Sequence, residues 1–346
     1  MVEAARTLAM GQDEATGAGR PTVDAPFGKA LVEIARRRAN IVGLSADLAK
    51  YTDILPFRGA FPERFFNIGM AEQNLIAVAA GLARTGHVPF ATTYGVFASR
   101  RAYDFVAIAC AHSKLNVKIV AGLPGLTTGY GGTHQAIEDL ALMRMIPGLM
   151  VIDPCDATEI AQATAAAADH DGPVYMRLLR GKVPVVLDPA TYRFAIGRAQ
   201  QLREGSDFGI VSTGLMTERA LDAAAALEKR GIRTGILHVP TLKPFDTEAV
   251  AAFAAAVDRL ATAENHVVQG GLASQVAEAL FEHGVQKPLT RIGLPDRFIE
   301  CGAVPTLQKR YGLDTASLIA AGLAAPPGSV RSPSWRGPTN RTESPA

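Results

Sequence analysis

The stretch of sequence that decides the fold is FFNIGMAEQNL, residues 65–75. An apolar run ends at Ile68, Gly69 interrupts it, and a helical pattern rich in small residues begins at Ala71. A strand that passes directly into a helix is the repeating unit of α/β folds. Glu72 falls in the first turn of this helix, where the helix dipole stabilises a carboxylate by about 0.3–1 kcal/mol. The position therefore suits either a structural or a functional carboxyl group.

Apolar runs alternate with helical patterns on both sides of this stretch. The first series predicts strands at 41–44, 64–68, 88–93, 117–121, 149–153 and 174–178, and helices at 27–38, 71–84, 96–112 and 157–169. After a weak region at 184–203, the second series predicts strands at 208–212, 234–239, 259–263 and 289–292, and helices at 217–230, 247–256 and 272–283. The fold class expected is α/β, as two tandem three-layer α/β/α domains with mostly parallel sheets.

The domain boundaries follow from the same pattern. We expect one domain at 25–190 and a second at 191–324. The segments 1–24 and 325–346 lack apolar periodicity, and the second is rich in Pro, Ser, Gly and Arg, so both are expected to be flexible tails.

Composition narrows the class of protein. The chain has 346 residues and a formal net charge of +2. It has no long basic run, so nucleic acid is not an expected partner. Its three cysteines, Cys110, Cys155 and Cys301, lie far apart, which indicates a reducing compartment and argues against a zinc site or a disulfide framework. No apolar run approaches the roughly 20 residues that cross a bilayer, and we expect a cytoplasmic protein with no membrane partner.

Three further segments place reactive or aromatic side chains just after predicted strands, where open α/β sheets bind ligands. Tyr94 and Phe97 follow strand 88–93, three residues apart. The loop at 122–135 contains five glycines, which indicates unusual backbone angles or a close approach to the main chain, and it carries His134 just before a helix that we expect to begin near Ala136. Arg177 and Arg180 end strand 174–178 and could bind carboxylate or phosphate. Each feature taken alone also has an ordinary structural explanation.

Taken together and in order, the motifs IVGLSADL, FFNIGMAEQN, the Tyr94–Phe97 segment, GGTHQAIEDLALMR and ENHVVQGGLAS resemble transketolases. The resemblance covers about residues 27–323 and implies a pyrimidine-binding domain followed by the C-terminal domain of that family. It implies thiamine diphosphate as the cofactor and transfer of a two-carbon ketol unit from a ketose to an aldose.

The resemblance also implies roles for cofactor-binding residues. Glu72 matches the glutamate that hydrogen-bonds N1′ of the aminopyrimidine, and we expect apolar surroundings to keep it protonated. Tyr94 and Phe97 match aromatics that pack on that ring. Asp47 matches an acidic residue near the thiazolium.

Substrate residues are implied in the same way. His134 matches a histidine that reaches the substrate's hydroxyl groups and acts with Glu72 in catalysis. Arg180 matches an arginine that binds the substrate's phosphate end, and Arg177 and Tyr130 are further candidates for substrate binding.

The Gly-Asp-Gly and Asn motif that binds the diphosphate through a metal is absent from this sequence. In the family, that site belongs to an N-terminal domain. We therefore expect a partner, an N-terminal transketolase subunit that carries the diphosphate and Mg²⁺ or Ca²⁺, in an α2β2 heterotetramer.

Departures from the family pattern all concern the substrate. Gly122 and Tyr130 replace a histidine and an acidic residue, and Val23–Asp24 and Tyr51 stand where an arginine and a serine help Arg180 hold a sugar phosphate. A modified or differently charged sugar is expected. One alternative is another thiamine enzyme, either a deoxyxylulose phosphate synthase-like half or a 2-oxoacid dehydrogenase beta-like subunit, and the RRAYD and YMR runs favour it. The other alternative is a non-catalytic scaffold partner.

Overall fold

The computed structural model describes residues 19–324 and shows two tandem α/β/α domains. The strands are β1 (Thr22–Asp24), β2 (Ile41–Ser45), β3 (Phe65–Asn67), β4 (Val88–Tyr94), β5 (Lys118–Gly122), β6 (Met150–Ile152), β7 (Val174–Leu178), β8 (Lys182–Pro184), β9 (Gln200–Arg203), β10 (Phe208–Ser212), β11 (Thr234–His238), β12 (Thr241–Lys243), β13 (Leu260–Val267) and β14 (Leu289–Leu294). The α-helices are α1 (Pro26–Arg37), α2 (Leu55–Ala60), α3 (Glu72–Arg84), α4 (Asp139–Arg144), α5 (Ala157–Asp169), α6 (Met216–Glu228), α7 (Thr247–Ala255), α8 (Leu272–Glu282), α9 (Val304–Arg310) and α10 (Thr315–Leu323).

The first domain is built on a seven-stranded sheet in the order β12-β6-β7-β5-β4-β2-β3. The pairs from β6 to β3 are parallel, and their strands are largely apolar because helices cover both faces. The edge strand β12 belongs to the second half of the chain and pairs antiparallel with β6. The carboxyl ends of β2, β4, β5 and β7 therefore share one edge of the sheet.

The second domain is built on a five-stranded sheet in the order β14-β13-β10-β11-β9. Its strands are parallel except β9, which pairs antiparallel with β11. The mostly parallel α/β prediction is confirmed in both domains. None of the helices in residues 19–324 is both long and apolar enough to span a bilayer.

Two predicted elements and one predicted tail were wrong in detail. The helix expected at 96–112 is instead two π-helical segments, Phe97–Arg101 and Phe105–His112. The run FVAIACA at 105–111 is apolar throughout, so its pattern cannot separate one helical winding from another. The helix expected near residue 136 begins at Asp139 because Ala136 is hydrogen-bonded to Gly125.

The expected N-terminal tail is ordered at its end, because β1 pairs antiparallel with β8. Arg20 also forms ion pairs with Glu218 and Asp222 of the second domain. The predicted tail at 325–346 lies outside the described residues.

A buried polar network joins the two domains. His238 Nε2 lies 2.9 Å from Glu159 Oε2, and Glu159 also accepts hydrogen bonds from the Cys155 backbone and the Tyr192 hydroxyl. Cys155, Glu159 and His238 offer metal-ligand atoms within 4.8 Å of one another. Burial raises the pKa of Cys155, and Glu159 is already fully engaged by its hydrogen bonds, so we assign this network to domain packing.

Candidate active site

Glu72 lies at the first residue of α3, directly after the turn at Gly69 that ends β3. Its side chain is only 5% exposed, and its Oε1 lies 3.1 Å from Nη1 of Arg101, whose side chain is 56% exposed. The expectation of purely apolar surroundings was wrong, because a guanidinium faces the carboxyl group. The contact between Glu72 and Arg101 could not be predicted from the sequence, because the two residues are 29 positions apart and belong to different elements.

Aromatic side chains surround this pair at the carboxyl end of β4. The Tyr94 and Phe97 ring centroids are 5.8 Å apart, and the His134 ring meets both edge-on at 6.3 and 5.4 Å. Arg101 lies flat against Phe97, with its guanidinium carbon 4.0 Å from the ring centroid. The fold thus brings together Glu72, Arg101, Tyr94, Phe97 and His134, which we call the cleft cluster.

His134 is a second titratable side chain of the cleft cluster, beside Glu72. Burial first, and the nearby Arg101 charge second, lower the pKa of His134 below its usual 6.5. The imidazole is therefore neutral near pH 7 and can accept a proton from a hydroxyl group. Its ring also contacts Tyr130, at 5.4 Å between centroids.

Asp47 is exposed and lies in the left-handed backbone region, with φ 59°. Asn67, at the end of the neighbouring strand, holds it on both sides: Asp47 N donates to Asn67 Oδ1 at 2.9 Å, and Asn67 Nδ2 donates to Asp47 Oδ1 at 3.0 Å. The sequence signal for Asn67 was its position at the end of a strand parallel to β2. Asp47 thus stands at the same sheet edge as the cleft cluster.

Arg180 follows β7 at this edge. Its guanidinium carbon lies 5.8 Å from the centre of the Tyr51 ring, and its Nε is buried and has no hydrogen-bond partner within residues 19–324. The Arg180 charge acts on the Tyr94 hydroxyl, whose pKa is raised by burial and lowered in part by Arg180.

Arg177 does not reach the cleft, and its prediction as a substrate-binding residue was wrong. Its side chain is 1% exposed, and its guanidinium is bound by Asp139 and by Asp153 at 3.3 Å. It also donates to the backbone carbonyl of Asn265 in the second domain at 3.3 Å. Because side chains alternate in direction along β7, Arg177 points into the domain interface.

The glycine-rich loop makes the close approach that its sequence predicts, and the second domain is what approaches it. A Cβ at Gly125, where φ is +57°, would lie 2.2 Å from the backbone oxygen of Asn265. A Cβ at Gly131, where φ is +79°, would lie 2.7 Å from Cys301 Sγ. The loop that carries His134 is therefore positioned by docking against the second domain.

Two family models match the chain: the transketolase pyrimidine binding domain at residues 20–185 and the transketolase C-terminal domain at residues 197–318. The chain belongs to the transketolase family. Transketolase family protein y4mN of Sinorhizobium fredii is 56% identical over 306 residues, which cover 88% of this chain and 89% of that protein. The 6-deoxy-6-sulfo-D-fructose transketolase subunit SqwH of a Clostridium species is 42% identical over 84% of this chain and 90% of its own length.

A solved transketolase is similar in structure. The protein described as "Split gene transketolase, inactive beta4 tetramer" is 44% identical, with a TM-score of 0.80, and the match covers 87% of this chain and 97% of that one.

The transketolase cofactor, thiamine diphosphate, can be compared with these residues. The buried carboxyl of Glu72, in one cluster with the Tyr94 and Phe97 rings, fits an aminopyrimidine, which needs one polar partner at its edge and flat apolar contacts on its face. The cleft cluster has one carboxyl group, already bound by Arg101, and so offers no octahedral oxygen set for Mg²⁺. The residues present fit the pyrimidine end of the cofactor.

Proposed function

We propose that this chain is the C-terminal subunit of a thiamine diphosphate-dependent, transketolase-like enzyme that transfers a two-carbon ketol unit from a ketose to an aldose. The observation that carries the proposal is the buried Glu72 carboxyl group at the start of α3, which Arg101 links to the Phe97 ring and its neighbour Tyr94. A non-catalytic scaffold would keep its function when Glu72 is replaced, whereas this enzyme would lose its activity.

Thiamine diphosphate, when bound, supplies a nucleophilic carbon and an electron sink for the two-carbon fragment. The chain's own residues bind and orient it. Glu72 holds a proton at pyrimidine N1′, after Arg101 has turned away from its carboxyl group. When Glu72 exchanges Arg101 for the pyrimidine, the Arg101 guanidinium moves into water. This movement costs little, because more than half of the Arg101 side chain is already exposed. Tyr94 and Phe97 pack on the pyrimidine ring, and Asp47 stands toward the thiazolium.

His134 and Arg180 are proposed to act on the sugar. The neutral imidazole of His134 accepts a proton from a sugar hydroxyl and returns it. Arg180 binds the anionic end of the sugar, and Tyr130, whose ring contacts His134, is a further substrate-binding residue.

We also propose a partner chain, an N-terminal transketolase subunit that binds the diphosphate and Mg²⁺ or Ca²⁺, in an α2β2 heterotetramer in the cytoplasm. Three observations support this: the sequence lacks the diphosphate motif, one relative is named a subunit, and the similar solved structure is a beta4 tetramer called inactive.

The substrate of one relative extends the proposal. That relative is named for 6-deoxy-6-sulfo-D-fructose, and this chain has Gly122, Tyr51 and Tyr130 where the family's phosphate-sugar pattern has other residues. Both observations favour a sugar other than the usual pentose phosphates.

Reconstitution tests the proposal. The chain is purified alone and together with a chain that carries the Gly-Asp-Gly and Asn motif, and ketol transfer is measured with thiamine diphosphate and Mg²⁺. Donors are xylulose 5-phosphate, fructose 6-phosphate and 6-deoxy-6-sulfofructose, with glyceraldehyde 3-phosphate as acceptor. We expect turnover of at least one ketose by the pair and none by either chain alone.

Three outcomes would contradict the proposal. Turnover by the chain alone would remove the partner. Condensation of pyruvate with the acceptor, without ketol transfer, would favour the deoxyxylulose phosphate synthase-like or 2-oxoacid dehydrogenase beta-like alternatives, which the RRAYD run containing Arg101 motivates. Absence of both reactions in a correctly assembled pair would favour the scaffold.

A further inference from the structure

The anion-binding end of the cleft is built around Arg180. This residue follows β7, and its Nε is buried with no hydrogen-bond partner in the described structure. Its guanidinium faces the Tyr51 ring at 5.8 Å and acts on the Tyr94 hydroxyl. A buried donor without a partner is costly, and a ligand oxygen at this place would satisfy it.

A carboxylate lies behind Arg180. The Asp53 side chain is buried, and its Oδ2 accepts a hydrogen bond of 2.6 Å from the backbone N–H of Gly181, the residue after Arg180. Arg180 and Asp53 attract each other electrostatically. Burial is the largest influence on Asp53 and raises its pKa, and the nearby Asp24 raises it further. The negative charge of Asp53 therefore partly offsets the positive charge that Arg180 presents to a ligand.

Asp53 is held rigidly in this position. Its backbone lies in the left-handed region, with φ 55°, and a Cβ on Gly28 of α1 would lie 2.0 Å from its carbonyl oxygen. Only a glycine at 28 lets helix α1 and this turn approach so closely. This packing fixes the Asp53 backbone, and the hydrogen bond from the Gly181 N–H holds its carboxylate.

Tyr94, whose hydroxyl is influenced by the Arg180 charge, and His134, which contacts Tyr94, are both neutral near pH 7. Burial raises the pKa of Tyr94, and the nearby Tyr51 and Tyr130 raise it further, so the Tyr94 hydroxyl keeps its proton. His134 contacts both Tyr94 and Tyr130, and its lowered pKa leaves it uncharged. These groups offer hydrogen bonds to an anion and add no positive charge.

A phosphate monoester carries about −1.5 to −2 charges at pH 7, whereas a sulfonate or a carboxylate carries one. We propose that the site formed by Arg180, Tyr51, Tyr94, Tyr130 and Asp53 selects sugars whose terminal group carries a single negative charge, in preference to dianionic sugar phosphates. One cation balanced by a fixed carboxylate matches a monoanion, and the hydroxyl groups hydrogen-bond its oxygens. This proposal depends on the proposed function in one respect only, which is that the ligand is a ketose.

Binding to four ketoses that differ at C6 tests the selection: fructose, fructose 6-phosphate, 6-deoxy-6-sulfofructose and fructuronate. Dissociation constants are measured by titration calorimetry on the reconstituted pair without thiamine diphosphate, so that no turnover is needed. We expect the sulfonate or the carboxylate sugar, or both, to bind about tenfold tighter than fructose 6-phosphate and fructose. The comparison of the sulfonate with the carboxylate shows which monoanion fits.

Two variants separate the parts of the site. Arg180→Met should bind all four sugars with affinities within about twofold of that for fructose. Asp53→Asn keeps a carbonyl oxygen for the Gly181 N–H and removes the charge, so it should improve binding of fructose 6-phosphate relative to the sulfonate sugar by about fivefold or more. Asp169→Asn is the matched control, because Asp169 pairs with Arg38 at the opposite edge of the sheet and should change none of these ratios.

The selection is overturned if fructose 6-phosphate binds as tightly as the better of the two monoanionic sugars, if no charged sugar binds better than fructose, or if Asp53→Asn leaves the ratio unchanged. The result of these binding measurements can be told apart from the result of the ketol-transfer assay. A pair that prefers monoanionic sugars but transfers no ketol unit would sink the proposed function and keep the selection, and a pair that turns over fructose 6-phosphate with no preference would do the reverse.

Discussion

Two arginine–carboxylate pairs in this molecule have the same chemistry and opposite surroundings. Arg177 and Asp139 are fully buried between the domains, whereas Arg101 leaves more than half of its side chain in water while it holds the buried Glu72. The first pair cannot open without exposing two carboxylates to a dry interior. The second can open by rotating one exposed side chain. Burial of the cation, more than the ion pair itself, separates a structural site from an exchangeable one.

The largest expected effect is at the interface pair. Arg177→Met should lower the free energy of unfolding by about 3–5 kcal/mol, because Asp139 and Asp153 would be left buried without their cation. Burial already raises the pKa of Asp153 to about 6, even with Arg177 present. Urea unfolding followed by circular dichroism measures the change. A loss below about 1 kcal/mol would show that the domains do not depend on this pair.

A pH-dependent effect is expected at a second interface carboxyl. Glu264 accepts hydrogen bonds from the backbone N–H groups of Leu272 and Ala273 at the start of α8, and burial raises its pKa from an ordinary 4.5 to about 7. Between these values the folded state binds more protons than the unfolded state, so this group's contribution to stability is present below about pH 4.5 and is lost as pH rises through about 7.

The variant Glu264→Gln isolates that contribution. Unfolding free energies at about pH 4.5 and about pH 8 are compared for both proteins, and the native chain should lose more stability than the variant over this range. Equal losses would mean that Glu264 titrates as it does in water.

The smallest expected change in stability is at the cleft pair. Arg101→Met should lower the free energy of unfolding by clearly less than Arg177→Met does. Arg101 is more than half exposed and leaves one carboxyl group, that of Glu72, without its cation, whereas Arg177 is buried and pairs with two. The same urea titration measures it. A loss comparable to that of Arg177→Met would mean that Arg101 is part of the fold and cannot exchange with the pyrimidine.

The sequence was sufficient for the fold class and the family because alternating strands and helices repeat over most of the chain. Glu72, Tyr94, Phe97 and His134 could be grouped because each follows a strand of one parallel sheet, and the structure places their side chains together. The family roles of these residues stay predictions.

The rest depended on contacts between distant segments. Arg101 could not be placed beside Glu72, because the π-helical winding of 97–101, FASRR, has no signature in its sequence pattern. Arg177 and Arg180 are three residues apart in sequence, but only the strand's alternation and the neighbouring domain decide that one is buried and the other faces the cleft.

Turnover by the reconstituted pair that carries Glu72→Gln tests the central claim most directly. The variant keeps the shape of the side chain and removes its ability to hold and release a proton, so ketol transfer should fall by about 10²-fold or more. Assembly with the partner should be unchanged, and Glu63→Gln, at an exposed position before β3, should be as active as the native pair. If Glu72→Gln turns over the ketose at the native rate, the proton-holding role of Glu72 is contradicted.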